Sequence, residues 1–244
     1  MRIEKDDIKK RRRLTEERSN EGLQRRAGNT IGRNLPKRLT MYFLGLFIMT
    51  AGIAFSVISD LGVSPLSTLP YAVELWTGFD MGLGTMVMHS FFVLVQLILL
   101  RKKFHPMILL QIPAGIVFGW FTTLCNGLVS MIPKTDFIPF QILLQLISIL
   151  LTAIGISVYL PANIIPLAGE GIVNAISITF NRQFAKVKII FDASTVAVSA
   201  LLCLLTVGRL GSVGIGTVMS AFLTGMIIAW INKFMRKLKK EPTK

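Results

Sequence analysis

Charge is scarce beyond residue 40. Of 27 lysines and arginines, 13 fall in the first 39 residues, as do 6 of the 13 aspartates and glutamates. Only 14 basic and 7 acidic residues remain for everything after that tail. A soluble domain carries about 25% charged residues, whereas this 244-residue chain has 16% and keeps nearly half of them in its tail. Such a chain cannot cover itself with a water-compatible surface.

Cysteine and histidine are scarce too, with two of each. Cys125 and Cys203 sit far apart in separate apolar segments, with no metal or redox spacing. Both read as small core- or lipid-facing residues, and neither a metal nor a cofactor is expected. Enzyme signatures are missing as well: no P-loop, no His-Glu-x-x-His pattern, no serine elbow, no Cys/His cluster. The chain is therefore expected not to be an enzyme. It contains no ATP-binding domain, so any transport would be secondary, facilitated or energised by a separate partner. No cleavable signal peptide is expected, because apolar sequence begins near Tyr42 after a long charged stretch. The first span would serve as an uncleaved anchor.

What is abundant is hydrophobicity: 52% of residues, with a mean hydropathy of +0.61. A helix needs about 20 apolar residues to cross a bilayer. Six stretches qualify, roughly 40–60, 82–100, 107–130, 138–160, 188–208 and 213–232. With the N-terminus in the cytoplasm, the inner loops and tails hold 25 basic residues and the outer loops only Lys134 and Arg209. The opposite orientation would break the positive-inside rule throughout. The net charge of +14 is thus a topology signal. It favours anionic headgroups at the cytoplasmic face rather than nucleic acid. Residues 1–39 read as a basic, disordered cytoplasmic tail with a short helix near Asp6 to Asn20. Residues 40–235 form the membrane domain, and 236–244 a basic cytoplasmic C-terminal tail.

Two connections are too long and too apolar for ordinary loops: Leu61 to Met81 and Pro161 to Ala185. Each has Pro and Gly followed by a short helix-compatible stretch, so each is either interfacial or re-entrant. They occupy matching places in two halves, about 40–130 and 138–232. Gly52-Ile53 matches Gly155-Ile156, Pro65-Leu66 matches Pro166-Leu167, Ala72 matches Ala175, His89 matches Asp192, and Gly119 matches Gly225. Three spans per half is an odd number, so the second half enters the membrane from the opposite side. The expected fold is all-α: about six transmembrane helices as two inverted three-helix repeats, each with an interrupted or interfacial segment. Inverted repeats with broken segments are a common transporter plan, with the site near the repeat interface.

The patterns LGVSPLSTLPY (61–71), PLAGEGIVNAIS (166–177), KVKIIFDASTVAVSALL (186–202) and GSVGIGTVMSAFLTG (211–225) resemble the YczE/YyaS/YitT group of bacterial membrane proteins. The resemblance covers residues 40 to 235. It implies a polytopic protein of the bacterial cytoplasmic membrane and no established substrate.

Ionisable residues in spans are costly and mark candidate sites. Glu170 lies between Gly169 and Gly171, which allow unusual backbone angles and close approach. It reads as a cation or proton ligand, or as a helix N-terminal carboxylate favoured by the dipole. Lys188 and Asp192 share a helix face at four-residue spacing. They form either an ion pair that seats the helix or a gated cation site. His89 holds the position matching Asp192, and a meeting of the two would make a proton relay. Glu74 and Asp80 would be exposed on an interfacial helix. Gln96, Gln111 and Gln145 read as hydrogen-bonding pairs between helices, and Gly115, Gly119, Ala221 and Gly225 as close helix contacts. The leading expectation is a small-solute or ion permease with Glu170, Asp192, Lys188 and His89 lining a central site. The alternative is a non-transporting scaffold that recruits partners through its cytoplasmic tails. A homodimer is left open by the sequence.

Overall fold

The computed structural model describes residues 35–101, 105–133 and 136–238, with side chains to residue 234. The basic tail up to residue 34, its expected helix at Asp6–Asn20 and residues 239–244 lie outside the described residues. The chain divides into residues 1–40 and 41–244. Of the first unit only 35–40 are described, as the opening turns of a helix. Every packing contact given below belongs to the second.

All regular structure among the described residues is helical. The helices are α1 (Leu35–Ser59), α2 (Thr68–Thr77), α3 (Met81–Leu100), α4 (Gln111–Val129), α5 (Ile138–Tyr159), α6 (Ala168–Phe180), α7 (Phe184–Thr206) and α8 (Ile215–Leu238). Six of them, all except α2 and α6, are long and apolar enough to cross a membrane. The protein is an integral membrane protein. The boundaries depart from expectation mainly at the polar ends. α1 is already helical at Leu35, the first described residue. α8 is still helical at Leu238, the last described residue, rather than stopping near 232. The third span opens with a 3-10 turn at Pro106–Leu110.

The two broken connections hold the two short helices. Ser64 precedes a 3-10 turn at Pro65–Ser67, which leads into α2, and Gly78 at φ 71° ends it. In the other half, Asn163 at φ 48° ends a 3-10 turn, and α6 starts at Ala168. Asn is among the few side chains that accept this left-handed backbone.

Glycine sets the central crossing. A methyl group built on Gly45 would lie 2.5 Å from the backbone nitrogen of Tyr159 and 2.8 Å from the carbonyl of Gly155. One on Gly52 would meet Ser148 and Thr152, and one on Gly155 would meet Met49 and Gly45. Helices α1 and α5 therefore run antiparallel in backbone contact. Gln145, fully buried in α5, ties three helices together. It accepts from Ser59 Oγ at 2.8 Å and donates to the Gly216 carbonyl and Ser220 Oγ, both at 3.0 Å. Helix α3 packs on α4 through Gly82, Gly115 and Gly119. The short helices cross between halves: α2 packs on α7, with Ser199 Oγ donating to Thr68 Oγ1 at 2.9 Å, and α6 packs on α3. Gly225 departs from the expected stripe. A methyl group there would meet nothing within 4 Å, and Ala221 is exposed, because that face of α8 has no close helix neighbour.

These contacts predict opposite outcomes for two glycines. Gly155→Ala should cost about 1–3 kcal/mol through overpacking against backbone. Gly127→Ala, with nothing within 4 Å, should be neutral or stabilising by up to about 1 kcal/mol. Unfolding of the purified protein in detergent measures both.

Candidate functional site

Glu170 lies near Tyr42 and the end of α5. It stands in the first turn of α6, where the helix dipole favours a carboxylate. Tyr159, at the end of α5, donates to Glu170 Oε1 at 2.5 Å. Tyr42 meets the Tyr159 ring edge-on, centroids 6.0 Å apart, and its buried hydroxyl makes no hydrogen bond among the described residues. Burial pushes the Glu170 carboxyl above the usual carboxylate range, while the Tyr159 bond and the Lys188 charge act the other way.

The two flanking glycines are ordinary helical residues without positive φ. The expectation of unusual backbone angles there is corrected: what they supply is close approach. Gly169 lies under Leu66, and Gly171 lies against the amides of Gln96 and Gln111, where a methyl group would come within 2.6 Å of both. Those two amides bond at 2.9 Å. Lys188 and Asp192 pair with each other at 2.6 Å. His89 is 1% exposed, stacked on Phe118 at 5.5 Å, and neither ring nitrogen has a partner among the described residues. No hydrogen bond joins it to Asp192, so the direct relay is not formed. Lys188 thus bridges the predicted set, acting on Glu170 and bonding Asp192, while His89 stands apart.

A cavity of about 470 Å³ lies between the end of α1, α2 and the end of α4. Its lining includes Tyr71, Glu74, Asp80, Thr123, Asn126 and Ser130. Asp80 caps α3 by accepting from the Leu83 N–H at 2.8 Å, and takes the Thr123 hydroxyl at 2.5 Å. Glu74 and Asp80 are therefore wall residues of a cavity, rather than groups on a free interfacial helix.

Sequence reasoning missed the tyrosines and Asn126. One signal was available: the chain has three tyrosines, and tyrosine in membrane proteins is enriched at the water interface. Here Tyr42, Tyr71 and Tyr159 are only 3%, 4% and 1% exposed. Two of them stand beside Glu170 and the third lines the cavity.

Residues 36–233 match a family of unknown function, DUF6198. The chain belongs to this family. Among curated proteins this DUF6198 chain is similar to the uncharacterized protein YyaS of Bacillus subtilis, 26% identical over 191 residues, which is 77% of this chain and 88% of that one. The resemblance to YyaS read from the sequence is thereby borne out. No solved structure matches.

The Tyr159–Glu170 bond has a measurable consequence. Tyr159→Phe should lower stability by about 1.5–3 kcal/mol, the range for a hydrogen bond to a charged group. The raised carboxyl means the folded chain holds this proton more tightly than the unfolded one. Stability should fall as pH rises from the ordinary glutamate range through the raised value. Glu170→Gln should flatten that part of the pH–stability curve.

Proposed function

We propose that the protein is a small-solute or ion permease of the bacterial cytoplasmic membrane, with both termini in the cytoplasm and two inverted three-helix halves. One observation carries the reading: a file of polar groups runs along α3 and α4 from the cavity to Glu170. Asp80, Thr85, His89 and Gln96 follow one another along α3, the last three 4%, 1% and 1% exposed. From Asp80 to Gln96 a helix rises about 24 Å, most of the roughly 30 Å hydrocarbon layer. Helix α4 meets them with Thr123, bonded to Asp80, and Gln111, bonded to Gln96. At the inner end Gln96 and Gln111 touch Gly171, the neighbour of Glu170. Buried polar groups are expensive in hydrocarbon unless they serve packing or passage, and the His89 nitrogens make no hydrogen bond among the described residues.

The central crossing supports the inversion. An offset of 103 carries Gly45 to Ser148, Met49 to Thr152 and Gly52 to Gly155. Exchanging the halves turns the Gly45–Gly155 contact into Gly52–Ser148, and Met49–Gly155 into Gly52–Thr152; all four contacts occur. The exchange also carries the α2–α7 packing into α6–α3. A two-fold axis in the membrane plane would produce these pairings. The cavity then opens outward and Glu170 faces the cytoplasmic half.

Reconstituted vesicles test the function with a panel of small solutes and ions. At least one should move down its gradient, and Glu170→Gln and His89→Ala should each cut that flux by about tenfold or more. Unchanged flux in both variants would sink this pathway. Single-cysteine labelling of intact cells tests the topology. Impermeant reagent should reach the 61–81 segment and not 161–185; labelling of both from one side refutes the inversion.

A further inference from the structure

The cavity has two kinds of wall. Ala54, Val57, Ile58 and Leu75 make one side apolar. The other side carries oxygen atoms with capacity to spare. Both bonds to the Asp80 carboxylate fall on Oδ1, and Oδ2 accepts none among the described residues. The Asn126 amide nitrogen points to the Met81 sulfur at 3.6 Å, while its buried Oδ1 has no donor among the described residues. Tyr71 is 4% exposed and lines the cavity. A buried acceptor without a donor is a standing free-energy cost that a ligand's N–H would remove. The local charge is negative. Asp60, Glu74 and Arg209 all act electrostatically on Tyr71, and with Asp80 that sets three carboxylates against one guanidinium.

We propose that this cavity binds a small organic cation bearing a protonated primary amine, its ammonium toward Asp80 and Asn126 and its hydrocarbon body against Val57, Ile58 and Leu75. A primary ammonium has three N–H donors and no acceptor. Asp80 Oδ2 is open to such a donor, and Asn126 Oδ1, buried in the same wall, lacks one among the described residues. The volume, about 470 Å³, lies in the range of small-molecule sites. A bare metal ion fits poorly: it leaves the apolar wall unused, and no group of three His, Cys, Asp or Glu side chains gathers among the described residues. An anion would meet the carboxylates. This deepens the permease reading by naming the substrate class of the same pathway, and rests on it only for the word substrate.

Calorimetric titration of the purified full chain tests the proposal, with n-butylammonium as probe. n-Butanol, butyrate and tetramethylammonium are the neutral, anionic and donor-free counterparts. Butylammonium should bind saturably, and each counterpart at least about tenfold more weakly. Asp80→Asn, which keeps an oxygen for the α3 cap, should weaken butylammonium by about tenfold or more, and so should Asn126→Leu, with unfolding midpoints recorded for both. Absence of saturable butylammonium binding overturns the proposal. So does equal binding of any counterpart, or binding indifferent to both variants when both remain folded. If Asp80→Asn fails to fold, Asn126→Leu and the four ligands decide alone. Butylammonium binding with no flux of any solute in vesicles would remove the permease reading and leave this one standing. Flux that needs Glu170, without butylammonium binding, would do the reverse.

Discussion

The architecture depends on how closely α1 and α5 approach. Three glycines, Gly45, Gly52 and Gly155, bring two backbones into direct contact at the middle of the molecule. In hydrocarbon there is no hydrophobic effect to press helices together, so van der Waals packing and hydrogen bonds must do it. Close backbones maximise the first, and Gln145, bonded to α1 and α8, supplies the second. Half of the most apolar stretch is buried in each of these two spans, against 17% in α7 and α8. The core is thus a crossed pair, around which the other helices are arranged.

Once that pair is fixed, the short helices have their places. Neither α2, at ten residues, nor α6, at thirteen, is long enough to span. Each covers itself by packing on a long helix of the other half, α2 on α7 and α6 on α3. Gly171 shows why sequence neighbours matter there. Its missing side chain lets α6 sit against two glutamine amides, and that contact places Glu170 one residue away, within reach of Tyr159.

Much of this was legible in the sequence, for physical reasons. Long apolar runs must be spans, and Pro and Gly inside 61–81 and 161–185 had to interrupt them. The three glutamines read as interhelical partners, and Gln96, Gln111 and Gln145 are so engaged. The Lys188–Asp192 pair followed from its spacing. Less legible was which face of each apolar helix turns inward, because a helix apolar on all sides carries no period. That is why Tyr42, Tyr71 and Tyr159 passed unremarked, why Gly225 was read as a contact, and why Glu74 and Asp80 were placed on a free surface. Glycine's role beside Glu170 was misjudged for a related reason. Sequence shows that a side chain is missing, but not whether the gap serves backbone freedom or a neighbour.

Beyond the end of α1 the chain is joined to the start of α8 through its main chain. The Leu61 carbonyl accepts from the Gly216 N–H at 2.7 Å, and the Val63 N–H donates to the Ser212 carbonyl at 3.2 Å. Gly62, at φ 99°, is wedged against Gly214 between those two bonds. The end of α1 is therefore stitched, backbone to backbone, to the start of α8. A seam of this kind resists parting more than side-chain contacts do. It works as a weld: to slide the end of α1 past the start of α8, main-chain hydrogen bonds would have to break, so the two ends are held as one piece.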